Sequence, residues 1–367
     1  MTLILSNEEI AELLPISDSL ARLTETYQEV GEGRALSRPR SDIYGPMQSD
    51  GRYIIKSMDG MIPLYDVAAT RLCSDVISWE PSPAGVRKEK HPKAPGGRWV
   101  GLILLFSIRT GEPLAIMPDG VIQSHRVACT NAIAARHMAS DDADVLGLIG
   151  AGWQARAQAL AMSNVRNLRE IRIYSPTPAN RERLAKELGA KLNVLVRPVD
   201  SAQAAAKDAD IVGIATNSVT PVISASMLEA HAHITCIKEL EIGEDVLQRS
   251  ALVVVHTRHD KPANYIIGLG EDPIYDHDPK QGVDGSFKQT RAARATSCVD
   301  LTRQPDLGEL VTGKVKLPPK GNVTCFINTI GQGLQFAALG SLALEKARAR
   351  GIGREIPTDW FTESVHN

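Results

Sequence analysis

The 367-residue chain is 43% hydrophobic and 23% charged, an ordinary globular composition at a length that suits two domains better than one core. Its 41 Lys plus Arg nearly balance its 43 Asp plus Glu, so there is no electrostatic case for nucleic acid or an anionic membrane as partner, and small molecules are the expected ligands. The longest apolar run, Val100 to Phe106, is far shorter than the roughly 20 residues of a membrane helix.

The opening MTLILSNEEIAELL is too acidic, and its apolar part too short, for a signal peptide, so a cytoplasmic protein is expected. Ser6 ahead of Asn7, Glu8 and Glu9 predicts an N-cap with acids in the first turn. Ile10, Leu13, Leu14, Leu20, Leu23 and Tyr27 then recur at near-helical spacing, and Pro15 breaks or restarts the helix. From Arg52 to Trp79 the pattern is strand-like. Residues 80–98, rich in Pro, Gly and Lys, read as a long exposed loop. WVGLILLFSI and LAIMP, joined by a turn at Arg109 to Pro113, read as a buried strand and its hairpin partner.

A helix is expected over 124–138. Beyond it the chain alternates strictly, with strands at 145–149, 170–174, 192–198, 211–215, 233–237 and 251–256 separated by helical segments, the pattern of a doubly wound parallel sheet. Residues 262–321 are polar, turn-rich and hard to place. An amphipathic helix over 333–350, ended by Gly351 and Gly353, closes the fold.

The sharpest motif is VLGLIGAGWQARAQALAM. An apolar strand runs into Gly150, Ala151, Gly152, Trp153, Gln154 and Ala155, and a helix starts at once. The first Gly permits a tight turn, the second lets backbone approach a pyrophosphate, and the helix N-terminus meets the phosphate charge. Ala155 stands where the third small residue of a dinucleotide fingerprint packs helix on strand. About 20 residues on, an NAD site usually carries an acid for the ribose 2′-OH. Here Ser175 and Thr177 stand near Arg181 and Arg183. Hydroxyls and a guanidinium suit a 2′-phosphate, which favours NADP(H) with NAD(H) possible; the plainer reading is that Ser175 caps a helix and the arginines are solvated. Thr216 and Asn217, after the fourth strand, are further cofactor candidates.

Several segments together resemble the ornithine cyclodeaminase/mu-crystallin family: LSNEEIAELL, the Pro39-Arg40 element, ILLFSIRTGEPLAIMPDG, His125-Arg126-Val127-Ala128, GLIGAGWQA, ATNSVTPVIS and INTIGQGLQFAALGSLALEKARARGIG. They span roughly residues 1–78, 99–260 and 320–355. The resemblance implies an α/β fold in which a Rossmann doubly wound parallel sheet is inserted in an α+β dimerisation and substrate domain. Residues 1–126 plus 322–367 would form the latter and 127–321 the former. It also implies a homodimer, a nicotinamide cofactor and an amino- or imino-acid substrate.

The same resemblance makes Arg126 the receptor for a substrate carboxylate and Arg40 a second arginine serving it, with Arg38 close enough to compete. Its catalytic lysine has two possible matches, since one alignment puts Arg71 in the slot and the other Lys56. Arg cannot be a general acid near neutral pH, because its pKa exceeds 12. A buried Lys can, so Lys56 is favoured as proton donor and Arg71 as anion ligand. The Asp that cyclodeaminases carry after the fifth Rossmann strand has no match in Lys238-Glu239-Leu240-Glu241-Ile242-Gly243, where Glu239 or Glu241 could substitute or cap a helix. No metal is expected. The five cysteines, Cys73, Cys129, Cys236, Cys298 and Cys325, never form CxxC, and His231 and His233, an HxH pair on a strand edge with no carboxylate cluster nearby, read as surface residues. An NAD(P)H-dependent 2-imino-acid reductase is the leading expectation. A cyclodeaminase, or a non-catalytic NADPH binder or oxidase partner, are the alternatives.

Overall fold

A computed structural model describes residues 1–46, 52–82, 85–218, 220–258, 263–267, 270–271, 299–328 and 330–364. The chain opens with β1 (Thr2–Ile4), then α1 (Asn7–Leu13) and α2 (Ile16–Gly31), separated by Pro15 as its ring requires. Ser6 and Glu9 form a reciprocal capping box. Strands β2 (Leu36–Ser37), β3 (Ser41–Pro46), β4 (Arg52–Ile62), β5 (Val67–Ser82), β6 (Gly85–His91), β7 (Val100–Ser107) and β8 (Pro113–Pro118) follow, and α3 (Gly120–Met138) leads out of this region.

The second half supplies β9 (Val145–Ile149), α4 (Trp153–Met162), β10 (Glu170–Tyr174), α5 (Pro178–Lys191), β11 (Leu195–Val199), α6 (Ala202–Ala206), β12 (Ile211–Ile214), β13 (His233–Cys236), α7 (Glu244–Arg249) and β14 (Leu252–Val255). Next come β15 (Ala263–Ile266), β16 (Gly270–Glu271), α8 (Leu307–Val311), β17 (Thr324–Ile327), α9 (Gly333–Arg350) and β18 (Arg354–Ile356).

These strands build two sheets. The parallel one has the order β11-β10-β9-β12-β13-β17-β14, so the strand order reverses between β9 and β12, where a doubly wound sheet opens its binding crevice. Its six expected strands are present, and β17 is a seventh, inserted between β13 and β14. The mixed sheet runs β16-β15-β3-β4-β5-β7-β8-β1-β18, with β2 on β4 and β6 on β5. The expected domain boundaries therefore need adjusting: β17, assigned from residue 322 onward to the outer domain, lies in the parallel sheet. Conversely β15 and β16 lie in the outer one.

Two other expectations are corrected. Much of residues 80–98 is strand rather than loop, because β5 runs to Ser82 and β6 pairs with it over Val76 to Ser82. Prolines and a charged VRKEKH run, the usual dress of an edge strand, masked the alternation. Helix α9 is not amphipathic, since it is buried on nearly every side from Gly333 to Leu344. Its N-terminus meets β4 so closely that a Cβ at Gly60 would lie 2.0 Å from the Leu334 nitrogen.

Residues 272–298, nearly half of the unplaced stretch and including Cys298, lie outside the described residues. Helix α3 joins the two sheets. It packs on α2 and α9 from the outer half and on β13 and β17 from the inner, and residues Val127 to Ala135 are all buried.

Candidate active site

The turn after β9 has the geometry its glycines foretell. Gly150 has φ +118°, and a Cβ there would sit 2.1 Å from the Ala215 carbonyl oxygen, so only glycine fits. Gly152 is different: a Cβ at this N-cap of α4 would meet no protein atom within 4 Å. The open space lies in front of the helix N-terminus, as an incoming pyrophosphate requires. Ala155 is fully buried against the sheet, while Trp153 is 61% exposed at the mouth. Ala151 and Gln154 are partly buried between them. These residues fit a dinucleotide.

Ser175 is buried at the end of β10 and Thr177 is the exposed N-cap position of α5. Arg181 donates to the Ser175 carbonyl at 3.0 Å and to Asp200. The structure thus brings Ser175 and Arg181 together, with a solvent-exposed carboxylate beside them. Thr216 is held by Glu241, whose Oε1 accepts both its N–H and its hydroxyl at 2.7 Å. Asn217 next to it is exposed. Glu241 also accepts the Ile237 and Lys238 N–H groups at 3.1 Å. Burial raises its pKa, and its oxygens satisfy backbone donors at the sheet's C-terminal edge. Of the two offices open to it in the sequence, Glu241 thus fills the structural one.

The four basic candidates converge on the inner face of the outer sheet and the second turn of α3. Lys56 on β4 lies opposite Cys73 on β5, and Met58 opposite Arg71, so Lys56 and Arg71 are neighbours on one face. Lys56 Nζ donates to Asp75 Oδ2 at 3.0 Å, and Arg71 Nε to Asp119 Oδ2 at 2.7 Å. Gly101 on β7 makes room for that pair, for a Cβ there would be 2.1 Å from Asp119 Oδ1. Arg40, also buried, pairs with Asp42 at 2.9 Å. The exposed Arg38 pairs with Asp59 instead.

Burial lowers the Lys56 pKa and Lys90 lowers it further, with Asp75 opposing. Arg40 also lowers it, to a smaller degree. For Arg71 burial pulls downward, but Asp119, together with Cys73 and Asp75, outweighs it and the guanidinium stays charged.

Arg126 stands apart. The helix begins at Gly120, so this residue lies in its second turn rather than at its start, and its burial says more than its position relative to the helix dipole. The residue is only 6% exposed, yet among the described residues its side-chain hydrogen bonds go to Gln123 Oε1 at 3.2 Å and Gln335 Oε1 at 3.4 Å. Among the described residues no carboxylate is paired with it. Burial, with Arg71 next in weight, pushes its pKa down to about 9. Arg71 and Arg126 both lie against the Phe336 ring, 5.3 and 5.5 Å from its centre. Gly331 leaves the room the Arg126 guanidinium fills, because a Cβ there would be 2.5 Å from its Nη1.

A buried network holds α3 at this point against both halves of the molecule. Gln335 Nε2 donates to Tyr27 Oη at 2.8 Å and to Thr130 Oγ1 at 2.9 Å, and Thr130 donates to the Arg126 carbonyl at 2.7 Å. His256, just past β14, has Nδ1 2.6 Å from the Ile330 carbonyl. That nitrogen must carry the proton, so Nε2 accepts from Tyr27 Oη at 2.7 Å. Burial, aided by Arg126, pushes the His256 pKa down to about 3 and keeps the ring neutral. Asn328, just past β17, donates to the Val127 carbonyl at 3.2 Å. Arg126 is thereby fixed beside the C-terminal edge of the parallel sheet, where such folds bind their ligands.

Sequence reasoning missed Asp75, Asp119, Lys90, Gln335, Tyr27 and His256. Only Asp75 had a usable signal, since it continues the period-2 face of Arg71 and Cys73. His233, read as a surface residue, is fully buried and bonded to Thr324 at 2.9 Å. No group of three His, Cys, Asp or Glu among the described residues could hold a metal ion.

Comparison with known proteins agrees with this architecture. The ornithine cyclodeaminase/mu-crystallin family model matches residues 2–316. A Rhizobium meliloti protein, named only provisionally as a dehydrogenase, is 30% identical over 69% of this chain and 72% of its own length. The Delta(1)-pyrroline-2-carboxylate reductase of Bacillus cereus is 26% identical over 70% of this chain and 74% of its own. Among solved structures, the Thermococcus litoralis Delta(1)-pyrroline-2-carboxylate reductase, in complex with NADH and L-proline, superposes with a TM-score of 0.75. It is 23% identical, and the match covers 97% of this chain and all of that one. With its family model covering most of its length and its fold shared throughout, the chain belongs to the ornithine cyclodeaminase/mu-crystallin family.

Proposed function

We propose that the protein is an NAD(P)H-dependent reductase of 2-imino acids, an oxidoreductase acting on C=N bonds. The observation that carries this reading is the buried Arg126 guanidinium, with which no carboxylate among the described residues is paired. An unpaired buried cation costs several kcal/mol, and a bound 2-imino acid supplies the missing anion. Related reductases of pyrroline-2-carboxylate support the assignment.

The turn from Gly150 to Ala155 would hold the pyrophosphate of a nicotinamide dinucleotide, with Ser175, Thr177 and Arg181 at the adenosine ribose and Thr216 and Asn217 nearer the nicotinamide. When bound, that cofactor supplies the hydride. Ser175 and Arg181 favour NADP(H), although Asp200 moderates the preference.

Arg126 and Arg40 fix the carboxylate and so orient the imine carbon toward the C-terminal edge of the parallel sheet. Hydride transfer to an imine needs a proton at nitrogen and no covalent intermediate. Lys56 Nζ is the donor best suited to that task, since burial lowers its pKa while Asp75 holds it in place. Arg71, paired with Asp119, can orient an anion but cannot give up a proton. A cyclodeaminase has less support here, because Glu241 is committed to backbone donors. The direct test follows NADPH and NADH absorbance with imines formed from 2-oxo acids and ammonia or alkylamines. Oxidation of the cofactor is expected; its absence across the series would leave a binder rather than an enzyme.

The active unit is a homodimer. The outer sheet buries one face, but the other shows Ile43, Tyr53, Met61, Val100 and Leu102, each 37–46% exposed. Such a patch on a sheet asks for cover, and a second copy provides it by twofold symmetry. Light scattering at micromolar concentration should give twice the chain mass, and a monomer would contradict this. No helix among the described residues is long and apolar enough to cross a membrane.

A further inference from the structure

Asp75 has more cations than it can neutralise. Its Oδ2 accepts from Lys56 Nζ at 3.0 Å, from Lys90 Nζ at 2.8 Å and from Cys73 Sγ at 3.1 Å. One carboxylate thus serves two ammonium groups. Around the site the described residues place five cations, Arg40, Lys56, Arg71, Lys90 and Arg126, against three carboxylates, Asp42, Asp75 and Asp119. A ligand with one carboxylate answers Arg126 and leaves the second surplus charge unmet.

That charge lies on a cavity. A space of about 250 Å³ is lined on its polar side by Arg71, Cys73, Asp75, Lys90, Asp119 and Gln123, with Trp99 and Val100 forming an apolar side. At one end Gln123 bonds the Arg126 guanidinium; at another stands Lys90. The two lysines on Asp75 are not equivalent. The Lys56 side chain is 9% exposed, whereas that of Lys90 is 47% exposed and free to swing.

We propose that this cavity receives a second carboxylate, carried on the side chain of the substrate, with Lys90 as its receptor, so that the enzyme acts on 2-imino dicarboxylates. The inference rests on the imino-acid reading above. When Lys90 turns to such a ligand, Asp75 keeps Lys56 as a matched pair, Arg71 keeps Asp119, and Arg40 keeps Asp42. The two surplus cations, Arg126 and Lys90, each then meet one ligand carboxylate. An apolar side chain could pack on Trp99 and Val100 but would leave the Lys90 charge unanswered.

The test uses the full-length chain with NADPH and imines formed in ammonia from oxaloacetate or 4-methyl-2-oxopentanoate. Their side chains have similar shapes and differ in the charged carboxylate. The wild type should favour the diacid in kcat/KM by about 10-fold or more. Lys90→Gln should lower that ratio by about 10-fold, and Lys90→Arg should largely keep it. If Lys90 only tunes Lys56, its loss slows both substrates alike and leaves the ratio unmoved, which overturns the proposal. So does a wild-type ratio near one, and in either case imine reduction still stands. Failure of both imines to oxidise the cofactor overturns the dicarboxylate proposal and the reductase reading together.

Discussion

The two sheets offer their ligands different things. The parallel sheet offers backbone: a glycine turn, a helix N-terminus and a C-terminal edge whose own charges are settled, as when Glu241 meets the Thr216, Ile237 and Lys238 donors. The outer sheet offers side chains whose charges are not settled, with Arg126 lacking a carboxylate and two lysines sharing Asp75. A backbone site selects by shape and tolerates no bulk. A charged site selects by what completes it, and its residues can be changed without collapse. The lesson is that substitutions in the two halves should fail in different ways.

The largest effect should come from the turn. Gly152→Val puts a branched side chain into space that no protein atom occupies, so the fold should keep its melting temperature while cofactor affinity disappears in a fluorescence titration. Gly150→Val should behave otherwise, because its φ of +118° and the Ala215 carbonyl make the change a strain on the protein itself. If Gly152→Val binds NADPH as before, the phosphate has been placed at the wrong turn.

Arg126→Ala comes next. Loss of a charged, hydrogen-bonded contact of about 1.5–4 kcal/mol should raise KM for the imino acid roughly 10–1000-fold. Stability should hold, since an unpaired buried charge is removed with it. A wild-type KM would sink the carboxylate assignment. Lys56→Met should instead depress kcat by about 100-fold or more, the usual contribution of general acid catalysis, and leave carboxylate binding largely intact. An acid works while protonated, so wild-type activity should fall as pH rises through the Lys56 pKa, which burial and Lys90 place below that of a free lysine. If Arg71→Met is dead and Lys56→Met turns over normally, the proton comes from elsewhere.

The same contrast explains what the sequence disclosed. Most of strands β9 to β14 are short apolar runs, and helices separate all of them but β12 and β13, a local pattern; the glycine turn is written contiguously from Val145 to Ala155. β17 escaped because it enters the sheet from far along the chain, between strands already counted. In the outer half, β6 was hidden by its edge-strand charges, and Lys90 with it. Arg40, Lys56, Arg71 and Arg126 were picked out through the family resemblance, but one at a time and without their partners. Their partners, Asp75 and Asp119, are set by cross-strand register and by the space above Gly101, which no local pattern encodes. The Tyr27, Thr130, His256 and Gln335 network joins four distant segments and left no trace in any one of them.

The smallest effect tests whether the parallel sheet is as free of charge selection as the contrast claims. Ser175 is buried at the end of β10, its carbonyl bonded to Arg181. Ser175→Asp would set a carboxylate where a 2′-phosphate is proposed to lie, repelling NADPH and giving the NADH ribose hydroxyls an acceptor. The NADPH-to-NADH preference should shift by about 10-fold, or 1.4 kcal/mol. Asp200 sets the limit on this argument: it already engages Arg181 from the solvent side, so part of the guanidinium's charge is answered before any phosphate arrives. Asp200→Asn should then strengthen NADPH binding while leaving NADH nearly unchanged. A wild type that prefers NADH, with neither substitution moving the ratio, would mean that Arg181 serves only to tie α5 to β10.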